Sequence, residues 1–256
     1  MDWSQCVLRK TVCFDGKRDS PKDTAPGVTL LHSLAMLRAL ILLIACFASL
    51  TSAAQTLRES LFDAIKAGDY AETARLVKAG VHYTARNAEG DTPLIVAAEN
   101  ARADLVGMWI TSGADVAARS TNGEIALHSA ALHSDPEIAR ILLEKSSPVD
   151  VVNRDGESPL YWAALSGSIE IVKLLVDHGA QISRVDIKGN SPLHAAAADG
   201  HIEVIGFLLE RKANRNLRNK AGERPADIAK ARGEDAAAAV LNRPPESVTP
   251  GRGKAT

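Results

Sequence analysis

Histidine and cysteine are the residue types here best suited to chemistry, and their spacing argues against it. Seven histidines are present. A zinc hydrolase would set two of them one helical turn apart around a glutamate, as His-Glu-x-x-His, and that pattern is absent. His128 and His194 stand 66 residues apart with Tyr161 in the matching position between them, so they do not converge on a metal. His133 and His201 fall near expected inter-helix turns, and His82 and His178 near segment ends, where a polar ring is ordinary. Cys6, Cys13 and Cys46 all precede residue 55, so the remainder has no thiolate metal site, Cys-x-x-Cys redox pair or disulfide framework. No Gly-x-Gly-x-x-Gly loop is present to cradle a phosphate. With no nucleophile set beside a base, the chain reads as non-enzymatic, with no catalytic residue, cofactor or metal.

What positions these residues is a repeat. Gly90, Gly123, Gly156, Gly189 and Gly222 stand 33 residues apart, and each opens a version of Gly-x-(Thr/Ser)-Pro-Leu-(His/Tyr)-x-Ala-Ala. The versions are GDTPLIVAA, GEIALHSAA, GESPLYWAA, GNSPLHAAA and the degraded GERPADIA. In the unit opened by Gly156, Ser158 offers a cap oxygen and Pro159 takes the first helical turn, as Pro93 and Pro192 do in theirs. Leu160, Ala163 and Ala164 give a first helix a close-packing face, and Gly167 breaks it. Ile169, Ile171, Val172, Leu174 and Leu175 recur at helical spacing in a second helix that Gly179 ends. An extended finger then returns to the next glycine.

This period and phrase resemble the ankyrin repeat. The resemblance covers residues 57 to 242 and implies an all-α solenoid of helix-turn-helix units joined by β-hairpin-like finger loops. It divides the domain at 55–242 into units of about 57–88, 89–121, 122–154, 155–187, 188–220 and 221–242. The outer two, with Arg58, Glu59 and Lys66 at one end and Lys230, Arg232, Glu234 and Asp235 at the other, read as polar caps. It also implies that His128 and His194 are structural, hydrogen-bonding backbone of a neighbouring unit.

Departures from the phrase mark weak points. Ile125-Ala126 replaces Thr-Pro or Ser-Pro, removing a cap oxygen and a proline, and a lost cap costs ~1 kcal/mol. Ser146 and Lys212 fill the place of Gly80, Gly113 and Gly179, where a left-handed backbone costs a non-glycine residue roughly 1 to 2 kcal/mol. The unit opened by Gly123 is therefore expected to fray first. Trp162 stands where neighbouring units have Ser129 and Ala195, a volume compensation expected of a shared core.

Residues 1–35 form a polar leader that precedes an alternative start at Met36. Residues 36–54 have the layout of a secretory signal peptide: Arg38, an apolar run from Ala39 to Leu50, and small residues up to a cut between Ala54 and Gln55. Two alternatives are a retained inner-membrane anchor and lipidation at Cys46. The first 54 residues hold six of the 30 Lys and Arg and four of the 31 Asp and Glu, leaving a formal charge of −3 on the rest. That balance gives no case for nucleic acid or an anionic membrane. Residues 243–256, rich in Pro and Gly, read as a disordered tail.

Export with repeats and no other domain resembles the exported ankyrin proteins of Gram-negative bacteria. The resemblance implies a monomeric periplasmic module binding one or more envelope proteins, either as a scaffold assisting an enzyme or as an inhibitor neutralising a toxin. Its partners would meet the finger tips and the concave helix face. Leu132, His133, Arg154, Tyr161, Leu165, Ile187 and Lys188 are the expected contact residues, an apolar patch with a polar rim.

Overall fold

A computed structural model describes residues 55–243 of the protein. The expected leader, signal, Ala54 and Cys46, and the tail beyond Arg243, lie outside the described residues. Twelve helices follow one another in six pairs, with no strand among the described residues. They are α1 (residues 55–67) and α2 (Tyr70–Lys78), α3 (Pro93–Glu99) and α4 (Ala103–Thr111), and α5 (Ala126–Ala131) and α6 (Glu137–Glu144). The second half comprises α7 (Pro159–Ser166) and α8 (Ile169–Asp177), α9 (Pro192–Ala198) and α10 (Ile202–Glu210), and α11 (Pro225–Arg232) and α12 (Asp235–Asn242).

Local chemistry starts the first helix of each pair where the phrase says. Pro93, Pro159, Pro192 and Pro225 take the first turn, where a missing N–H costs nothing. Thr92 accepts the Ile95 N–H at 3.3 Å and Ser158 the Tyr161 N–H at 3.2 Å. Ile125, opening α5, provides no side-chain cap. Alanine-rich α3, α5, α7, α9 and α11 pack in one row, and the longer apolar helices behind them in a second.

One continuous core runs between the rows. Leu94, Leu127, Leu160 and Leu193 form one buried file, and Leu76, Trp109, Leu142, Leu175 and Leu208 another. Trp109 is the largest fully buried side chain among the described residues, and its indole N–H has no partner among them. An unmet buried donor costs ~1–3 kcal/mol, which its larger apolar area offsets.

The fingers repeat one tight turn. Gly90, Gly123, Gly156, Gly189 and Gly222 donate to the carbonyls of Asn87, Ser120, Asn153, Asp186 and Asn219, three residues back. These five residues in turn donate their N–H to the carbonyls of Asp91, Glu124, Glu157, Asn190 and Glu223. Their side chains also accept the backbone N–H four residues on, at 2.7 to 3.2 Å, which fixes the turn from within. Successive fingers are joined where Arg154 donates to Asn122, Ile187 to Asp155 and Lys220 to Lys188, each at 2.8 Å.

Ser146 and Lys212 adopt φ of 61° and 66°, the left-handed geometry that glycine supplies elsewhere. Ala101 does the same at φ 53°, which the sequence does not signal. Among the described residues no helix is long and apolar enough to cross a membrane.

Candidate partner-binding surface

The histidines tie units together in two directions. The His128 ring receives the Ile125 N–H on Nδ1 at 3.2 Å and donates from Nε2 to the Glu157 carbonyl at 3.2 Å. His194 repeats this, taking the Ser191 N–H at 3.1 Å and reaching the Glu223 carbonyl at 3.2 Å. A carbonyl only accepts and an N–H only donates, so each ring is neutral with its proton on Nε2. Burial pushes His128 down to about 4 and lowers His194 as well.

His133 and His201 point the other way, donating from Nε2 to the carbonyls of Glu99 and Leu165 in the preceding unit, both at 2.9 Å. His133, an expected contact residue, is thus half-buried and occupied as a strut. Ser166 is engaged similarly, donating to the Ala131 carbonyl at 3.0 Å.

Leu132 caps the end of α5 at 46% exposed, and Leu165 lies near the end of α7 at 37%. Both stand on helices of the front row, adjacent in the stack. Tyr161 is half-buried on α7, and burial, with the carboxylates of Asp186, Glu157 and Asp199, pushes its hydroxyl up to about 12. Arg154 and Ile187 sit exposed on neighbouring fingers. Trp162, expected in the core, is only half-buried: its indole donates to Glu157 at 2.8 Å and its ring meets His128 edge-on at 5.5 Å.

Ile187 and Lys188 line a groove of about 700 Å³ with Asn190, Asn219, Lys220, Ala221, Glu223, Ile228, Ala231 and Arg232. Leu132, Leu165 and Tyr161 do not line it, so the expected patch divides between the middle of the stack and this C-terminal groove. The charges divide too. Glu124 is raised by burial and by Asp91, Glu157, Glu99 and Asp155 around it, which places an acidic field over the earlier units. Lys188, Lys220 and Arg232 give the groove the opposite sign.

Sequence reasoning missed two finger features. Arg119 donates to its own finger at Gly123 and to the next at Val152, 3.2 and 2.9 Å away, and Arg86 reaches the Arg119 carbonyl at 2.6 Å. The 33-residue recurrence of Arg86 and Arg119 was the available signal. Among the described residues no group of three or more His, Cys, Asp or Glu is placed to hold a metal.

A family model described as ankyrin repeats (3 copies) matches residues 61–152, 94–186 and 145–219. No curated protein matches the chain.

Proposed function

We propose, from the premise that this chain belongs to the ankyrin-repeat family, that it is an exported interaction module that captures an envelope protein. Ankyrin repeats are protein–protein interaction modules, and the histidine struts and buried leucine files above serve to hold a surface rather than to perform a reaction. The observation that carries the reading is the exposure of Leu132 and Leu165 at front-row helix ends whose neighbouring positions are engaged in hydrogen bonds. Covering the exposed part of each leucine would contribute about 1 kcal/mol to association, since full burial of an exposed leucine is worth roughly 1.5–3 kcal/mol.

Expression in a Gram-negative host, crosslinking and capture from the periplasm tests this. Leu132→Ala with Leu165→Ala is expected to reduce recovery of the captured partner about tenfold, with an unchanged melting temperature. A fall in melting temperature would make the two leucines core, and no periplasmic product beginning near Gln55 would overturn export. The identity of the captured protein, enzyme or toxin, decides between helper and inhibitor.

A further inference from the structure

The C-terminal groove has a chemistry of its own. Ile187, which is 52% exposed, faces it from one finger, and Ile228 and Ala231 from α11. Lys188 and Lys220 stand exposed on its two finger walls, and among the described residues neither has an ion-pair partner. Arg232, its side chain 61% exposed, pairs with Asp199 at 3.2 Å. Glu223, the one acid lining the groove among the described residues, is engaged by the Asn219 side-chain amide at 3.1 Å.

The finger N–H groups facing the groove are already engaged, those of Lys188 and Asn190 by Asp186, those of Ala221 and Glu223 by Asn219, and that of Lys220 by the Lys188 carbonyl, so they offer little for strand addition. Recognition here falls to side chains. An aliphatic floor between unpaired ammonium groups complements a carboxylate-bearing segment with an apolar anchor. A single-stranded nucleic acid fits less well: among the described residues no aromatic side chain lines the groove for base stacking, and the carboxylates of Asp91, Glu124, Asp155 and Glu157 cluster on the preceding fingers.

We propose that this groove binds an extended acidic segment of a partner protein, seating an aliphatic side chain between Ile187 and Ile228 and placing carboxylates against Lys188 and Lys220. The proposal rests on the reading as an interaction module and adds the partner's chemistry. Binding is expected to weaken as salt rises, because the contacts are exposed charges.

Fluorescence anisotropy on the purified full chain tests it with three fluorescein-labelled probes. These are a short Asp/Glu peptide with a central leucine, the same peptide with lysine for each acid, and a single-stranded oligonucleotide of equal charge. The acidic peptide alone is expected to bind. Lys188→Glu with Lys220→Glu should weaken it about tenfold or more with an unchanged melting temperature, and Ile228→Ala should weaken it less. Equal binding of the basic peptide or the oligonucleotide, absence of binding, or indifference to the charge reversal would each overturn the proposal. Loss of capture in the Leu132/Leu165 variant with no effect of the lysine reversal would leave the module reading standing and remove this one.

Discussion

Units 122–154 and 155–187 are neighbours with the same helices, yet they are secured differently. The second uses local chemistry: Ser158 caps α7, Pro159 starts it, and Gly167 and Gly179 close its helices at φ of 77° and 90°. The first lacks each of these. Ile125 has no oxygen to offer, Ala126 stands in place of proline, and Ser146 is held at φ 61°. It relies instead on long-range ties, with His128 reaching forward to Glu157 and His133 back to Glu99. In a solenoid, stability is a sum of unit and interface contributions, so a unit poor in the first can persist on the second. Such a unit is then exposed to whatever weakens its interfaces.

Acid should separate the two units most sharply. His128 is at about 4 in the folded chain against about 6.5 unfolded, so the unfolded chain binds more protons between those values. Its contribution is complete above pH 6.5 and is lost as pH falls toward 4, by about 3 kcal/mol. Protonation would set an Nδ1–H against the Ile125 N–H, two donors facing each other. The matching position in unit 155–187 is Tyr161, which has no such transition there. Amide exchange from pH 7 to 4.5 should show protection lost first at 122–154 and, through His194, at 188–220. Uniform loss would break the comparison.

The well-capped unit has its own weak point in Gly167, where a Cβ would run into the His201 ring as well as strain the left-handed backbone. Gly167→Ala should cost ~2–3 kcal/mol, the sum of the backbone penalty and a lost His201 bond to Leu165. Urea unfolding measures it. A change below ~1 kcal/mol would mean that the ring relocates freely.

Most of this frame was legible because it is periodic. Glycine spacing, proline starts and the helix pairs all recur, and recurrence exposes Ser146 and Lys212 as left-handed residues in the sequence itself, while the backbone ties of His128 and His194 follow from the resemblance to ankyrin repeats. Features particular to one interface escaped. Ala101 reads as a good helix former, and its φ of 53° is set by the turn it must close. Trp109 replaces a leucine in a buried file, a change of size that periodicity does not register. The groove unites two fingers and a later helix, so its residues have no common signal in the chain.

The smallest effects probe whether the contrast in caps carries the difference in stability. Ser146 is exposed at a left-handed position, so Ser146→Gly should relieve strain without opening a cavity and stabilise by ~1 kcal/mol. Ala126 is the first residue of α5, where its N–H has no intrahelical partner, so Ala126→Pro should add ~0.4–1 kcal/mol by restricting the unfolded chain. Ile125→Thr is the less informative repair. Ile125 is fully buried, and the cap it would gain is offset by apolar area lost. In the Ser146→Gly, Ala126→Pro double variant, exchange protection at 122–154 should rise toward that of 155–187 while the acid response remains, since His128 is untouched. A gain spread evenly over all units would mean that the stack unfolds as one body, and that its interfaces outweigh every local repair.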